Sequence, residues 1–62
     1  MAREVFFEFH RIGNFVKVSA IDAETGLEVS IVGDAAASEA MLKRTALKKL
    51  EYVLAKQAGT PG

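Results

Sequence analysis

A chain of 62 residues with no cysteine, one histidine and eight acidic residues against eight basic ones has a formal net charge of zero. That length leaves room for one domain, and the composition excludes disulfides and thiolate metal sites, while a lone histidine makes no zinc site without carboxylates in an unusual arrangement. The charge balance argues against bulk electrostatic attraction to nucleic acid or to a membrane.

Residues 3–12 alternate, with Val5, Phe7 and Phe9 apolar against a mixed set of Glu4, Phe6, Glu8, His10 and Ile12. This is a strand with its odd positions facing inward. Gly13-Asn14 is a two-residue turn signal, because both residue types tolerate the positive φ that tight hairpins demand. A two-residue loop pairs Ile12 with Phe15, Phe9 with Val18 and Phe7 with Ala20, so the inward faces of the two strands coincide. The second strand covers residues 15–22, with Val16, Val18 and Ala20 inward and Phe15, Lys17, Ser19 and Ile21 outward. Residues 22–26 read as a turn in which Asp22 bonds the backbone ahead and Gly26 supplies a left-handed residue. Pairing Asp22 with Leu27 brings Val29 opposite Ala20 and Ile31 opposite Val18, so residues 27–32 form a third strand. Residues 33–37 are small and serve as a crossover.

The only long helical pattern is SEAMLKRTALKKLEYVLAKQ, residues 38–57. At about 100° per residue Leu42, Ala46, Leu47, Leu50, Val53 and Leu54 form one broad apolar stripe. Ser38 suits the N-cap, and Glu39 puts a negative charge in the first turn, where the dipole favours one. Asp34 is a competing cap that would extend the helix through Ala35, Ala36 and Ala37. Gly59 closes the far end, and Pro61 prevents a restart.

The architecture expected is α+β: a three-stranded antiparallel β-meander packed on one C-terminal α-helix, in the order βββα. Residues 1–57 form the domain and 58–62 a loose tail. Its core is Val5, Phe7, Phe9, Val16, Val18, Ala20, Leu27, Val29 and Ile31 with the helix stripe.

One helix covers one face of a sheet, so the other face is left over. That outer face carries Phe6, Ile12, Phe15, Ile21 and Val32 among Glu8, His10, Ser19, Glu28 and Ser30. Five apolar residues on so small a sheet point to an interface, either face to face or through an edge strand. The plain alternative is a half-apolar surface with no partner. Size favours the first reading, because a domain this small buries only about 60% of its unfolded surface and leans on a partner when disulfides and metals are absent.

Glu8, His10, Ser19 and Ser30 are raw materials for nucleophilic catalysis. The register places Ser19 opposite Glu8 and His10 opposite Lys17, on an open sheet without a water-excluding pocket, so no catalytic residue, cofactor or metal is assigned. Acidic residues predominate before Ser38 and basic ones after it. The helix side away from the sheet holds Arg44, Lys48, Lys49 and Tyr52 with Met41 and Lys56, a combination suited to phosphate contacts plus stacking. No apolar run is long enough to span a membrane, and charges interrupt the start, MAREVFFEF, where a signal peptide stays apolar, so a cytoplasmic location is expected.

The βββα order resembles the C-terminal part of the double-stranded RNA-binding domain from about Val5 onward. That family opens its final helix with a phosphate-gripping lysine cluster, whereas this helix opens with Ala37-Ser38-Glu39-Ala40-Met41, and the family's first helix is missing. No RNA-binding residue carries over. The segments EVFFEFHRIGNFVKVSAIDAETGLEVSIVG and LKRTALKKLEYVLAKQ are similar to a family of very short uncharacterised bacterial proteins, best known from alphaproteobacteria, which bears a domain-of-unknown-function label. The resemblance implies a free-standing small protein and no particular activity.

The expectation is therefore a non-enzymatic interaction module whose partner is a second copy or an unidentified protein. A nucleic-acid-binding accessory protein using the basic helix face is the alternative.

Overall fold

The computed structural model describes residues 4–57. Three strands, β1 (Val5–Ile12), β2 (Phe15–Asp22) and β3 (Glu28–Asp34), are followed by one helix, α1 (Glu39–Gln57). The strands form an antiparallel sheet in the order β1-β2-β3. Its register is the one that alternation and turn length require: Ile12 faces Phe15, Phe9 faces Val18, Ala20 faces Val29 and Val18 faces Ile31.

Both turns are built by their own residues. Gly13 has φ +60°, but Asn14 does not share the left-handed conformation, because positive φ among the described residues falls only on Gly13 and Gly26. A glycine at the first central position alone is the pattern of a type II′ hairpin, so Asn14 is not called on to adopt positive φ. In the second turn the Asp22 carboxylate accepts from the Thr25 N–H at 3.0 Å and the Thr25 hydroxyl at 2.7 Å, and Thr25 Oγ1 accepts from the Leu27 N–H. Gly26, at φ +76°, donates its N–H to the Asp22 carbonyl. Asp22 is fully buried, so these donors replace the water its carboxylate has lost.

β3 runs two residues further than alternation alone suggested. Gly33 stays in the ladder opposite Val16, and Asp34 opposite Phe15. The glycine matters for approach rather than for backbone freedom, since a Cβ there would collide with the Leu42 side chain of the helix. Past the strand, Ala35 donates to the Asn14 carbonyl at 2.9 Å. Asp34 then makes a tight turn, accepting from Ala36 N–H through its carboxylate and from Ala37 N–H through its carbonyl. It does not cap the helix. Ser38 does, its hydroxyl accepting from Met41 N–H at 3.2 Å, which satisfies one of the orphan donors of the first turn.

Leu42, Ala46 and Leu50, each four residues apart, are the buried points of α1, and they meet Val18, Ala20 and Val29 of the sheet. Leu47 is half-buried; Val53 and Leu54 pack against this cluster, as do Val5, Phe7, Val16, Leu27 and Ile31. The helix lies over β2 and β3 rather than over the middle of the whole sheet. Phe9 of β1, expected in the core, is consequently exposed. The proposed closing residues Gly59 and Pro61 and the tail 58–62 lie outside the described residues.

Candidate functional site

The outer face of the sheet is set by strand parity, and its apolar members are open to solvent: Phe6 at 53%, Ile12 at 56%, Phe15 at 58% and Val32 at 67%. Ile21, grouped with them from the sequence, is half-buried. They do not form one patch. Phe6 sits opposite Ile21 at one end of the β1-β2 pair and Ile12 opposite Phe15 at the other. Between them runs a belt in which Glu8, Ser19 and Ser30 lie in one row and His10 and Lys17 lie with the apolar Val32 in the next.

Within that belt the Ser19 and Ser30 hydroxyls are 3.0 Å apart and bond each other, and Ser19 is buried. Each serine thus satisfies the other, and His10 stands across from Lys17 instead of Ser19. The structure does not gather these residues into a nucleophile, base and acid. Nor do the described residues include a cluster of His, Asp and Glu suited to a metal ion.

The two edges of the sheet differ. On β3 the Lys49 ammonium donates to the Ser30 carbonyl at 2.8 Å, so a helix side chain occupies one outward carbonyl of that strand. Lys49, assigned from the sequence to the far side of the helix, in fact turns back along the sheet. On β1 the Glu4 carbonyl accepts from Ala23 N–H at 3.0 Å. Antiparallel ladders alternate, so the even residues of β1 turn their backbone groups toward β2 and Val5, Phe7, Phe9 and Arg11 turn theirs outward. Among the described residues that edge carries no neighbouring strand.

β1 is also thinly covered on its inward side. One open groove is lined by Val5, Phe7, Leu47 and Glu51, and another by Phe9, Arg11, Val16, Ala35, Ala37, Glu39 and Leu42. Lys43 reaches over Phe7, its ammonium 5.5 Å from the ring centre. The remaining basic residues of the helix are exposed, Arg44 and Lys48 among them, and Tyr52 is 62% exposed with the Lys56 ammonium 5.2 Å from its ring centre. Sequence reasoning found the outer-face residues through alternation. It missed the openness of Phe9, which depends on where the helix lies across the sheet.

A three-stranded meander with a single helix over two of its strands defines the class: a small α+β domain in which the described residues leave one sheet face and one sheet edge uncovered. Residues 2–57 match a family described as a domain of unknown function, DUF6898, and the chain belongs to that family. No curated protein and no solved structure matches it. No helix among the described residues is long and apolar enough to cross a membrane.

Proposed function

We propose that this protein is a non-enzymatic interaction module that acts as a homodimer. The observation that carries the reading is the coincidence of a β1 edge that no other described strand pairs with and exposed aromatic and aliphatic side chains on both faces of that strand: Phe6 and Ile12 on one, Phe9 on the other. A strand in this condition is a template for pairing, and proteins that do not use such an edge blunt it with charge, proline or a covering element.

Light scattering over a concentration series, at low and high salt, tests the proposal. A dimer that resists salt is expected, since apolar burial holds or strengthens as salt rises. The Phe6→Ser, Phe15→Ser double variant, with its circular dichroism unchanged, should shift the monomer–dimer midpoint to at least tenfold higher concentration. A monomer mass throughout the wild-type series would refute self-association.

The alternative, nucleic-acid binding by Arg44, Lys48 and Tyr52, rests on the exposure of that tyrosine beside basic residues. Three neighbouring cations, Lys43, Lys49 and Lys56, already engage partners within the chain. Binding of this kind weakens steeply with salt through counterion release, the opposite of the response expected for the sheet.

A further inference from the structure

The outer face holds two apolar clusters separated by charge, a layout that fits poorly against a flat apolar partner. It fits a second β1 strand. We propose that two copies join by antiparallel pairing of β1 with β1 about a two-fold axis perpendicular to the sheet at Phe9, making one six-stranded sheet with both helices on the same side. This specifies the geometry of the self-association proposed above and rests on it.

Several constraints lead to this register. The outward backbone groups of β1 belong to Val5, Phe7, Phe9 and Arg11, so hydrogen-bonded pairs across the new junction join odd residues with odd residues. With the helices on one face, residue i then meets residue j where the two numbers sum to an even value. A sum of 16 sets Glu8 against Glu8 of the second copy, a like-charge pair that destabilises a sheet. A sum of 14 sets Phe6 against Glu8, and a sum of 20 sets Ile12 against Glu8. At 18 Glu8 faces His10 and Phe6 faces Ile12, twice each by symmetry.

The consequences extend beyond the two central strands. Because Phe6 lies opposite Ile21 and Ile12 opposite Phe15 within each copy, the pairing lines up Ile21, Phe6, Ile12 and Phe15 as one continuous row across the junction. The two half-patches of each copy thus become whole only in the dimer. In the adjacent row Glu8 meets His10, with Lys17 next to it on β2, so the acid of one copy faces the basic side of the other.

The inner face agrees. Phe9, the inward-facing residue that the helix leaves exposed, lies on the two-fold axis against its own copy. Phe7 falls opposite Arg11. Since α1 lies over β2 and β3 and strands are spaced about 4.8 Å apart, the two helices stand roughly 19 Å from one another and do not collide. About six backbone hydrogen bonds form across the junction, two at Phe9 and two at each pairing of Phe7 with Arg11.

The absence of native cysteine makes the register directly measurable. Glu8→Cys and His10→Cys proteins are prepared separately, then oxidised alone and as an equimolar mixture after subunit exchange. In this register the two positions face each other at a Cα separation of about 4.5 Å, within disulfide reach, whereas identical positions lie diagonally at about 7–8 Å, outside it. The mixture should cross-link at least tenfold faster than either variant alone. Phe9→Cys, which lies on the axis, should cross-link with itself.

Rapid self-linking of Glu8→Cys would overturn the register in favour of the sum of 16. A dimeric mass with no cross-link from the mixture or from Phe9→Cys would overturn edge pairing while leaving association through the outer face standing. A monomeric mass for the wild type would remove both proposals.

Discussion

Leu50 offers the sharpest test of how this small domain is held together. Its side chain is fully buried at the centre of the helix–sheet contact, with Val18, Ala20, Ala46 and Val29 in the same cluster. Leu50→Ala removes three carbons, about 2.4 kcal/mol of transfer free energy at about 0.8 per methylene-sized group. A cavity term adds to this, because the neighbours are short side chains on strands that cannot collapse into the space. The total should be about 3–4 kcal/mol, inside the range of about 2–5 measured for such truncations. A 62-residue domain has about 3–9 kcal/mol of stability in all, at about 0.05–0.15 per residue, so the loss is a large share of the whole. Urea unfolding followed by circular dichroism reads it, and should be run at two protein concentrations a hundredfold apart. If association is coupled to folding, mass action should stabilise the more concentrated sample by about 2.7 kcal/mol per dimer. The half-buried Leu47, at the flank of the β1 groove, serves as the comparison and should cost less when changed to alanine. A Leu50→Ala protein within about 1 kcal/mol of the wild type would refute the reasoning that this residue anchors helix to sheet.

Two further predictions concern the connections. Asp22→Ala removes the acceptor for the Thr25 N–H and hydroxyl and should lower stability by about 2 kcal/mol, with Asp22→Asn intermediate because it keeps one oxygen; an unchanged urea midpoint would show that the turn forms without the carboxylate. Ser38→Ala deletes the bond to Met41 N–H and should cost about 1 kcal/mol, read from thermal melting, whereas Asp34→Ala should leave the helix start in place because Asp34 serves the preceding turn.

The sheet was legible in the sequence because both of its turns are short. A two-residue loop at Gly13-Asn14 fixes which residues oppose each other, and a period-2 pattern then leaves one register that keeps Phe7, Phe9, Val18 and Ala20 on a common face. The helix stripe was legible for the same kind of reason, as a period. Its lateral position was not. An apolar stripe states which side of a helix faces the sheet, but not which strands lie beneath it, and the exposure of Phe9 depends on that position alone. Gly33 illustrates a related limit: its role comes from the Leu42 side chain, nine residues later, and in the sequence it looks like an ordinary crossover glycine. Lys49 reads in the sequence as one more cation on the far side of the helix because its target, the Ser30 carbonyl, is a backbone atom and leaves no mark on the residue pattern.

The same displacement of the helix that uncovers β1 also bears on how far the proposed association would proceed. A strand edge that pairs with another copy adds three strands and presents whatever edge lies at the far side. Were both edges of this sheet bare, addition would continue into an open array. Here the far edge is β3, where Lys49 of the overlying helix holds the Ser30 carbonyl and places a cation beside the strand. Among the described residues no helix side chain bonds the backbone of the β1 edge, where Lys43 reaches only over the Phe7 ring and Arg11 donates to the Gly13 carbonyl past the end of the strand. In the proposed dimer, pairing of β1 with β1 would consume that edge of each copy and leave β3 edges on which Lys49 holds one outward carbonyl, an arrangement that favours closure at two. A helix centred over the sheet would have buried Phe9 and brought its lysines no nearer to one edge than to the other. The offset of the helix toward β3 leaves the two edges unequal, with one β3 carbonyl held by Lys49, and such an asymmetry is what the proposed closed dimer built by sheet extension requires.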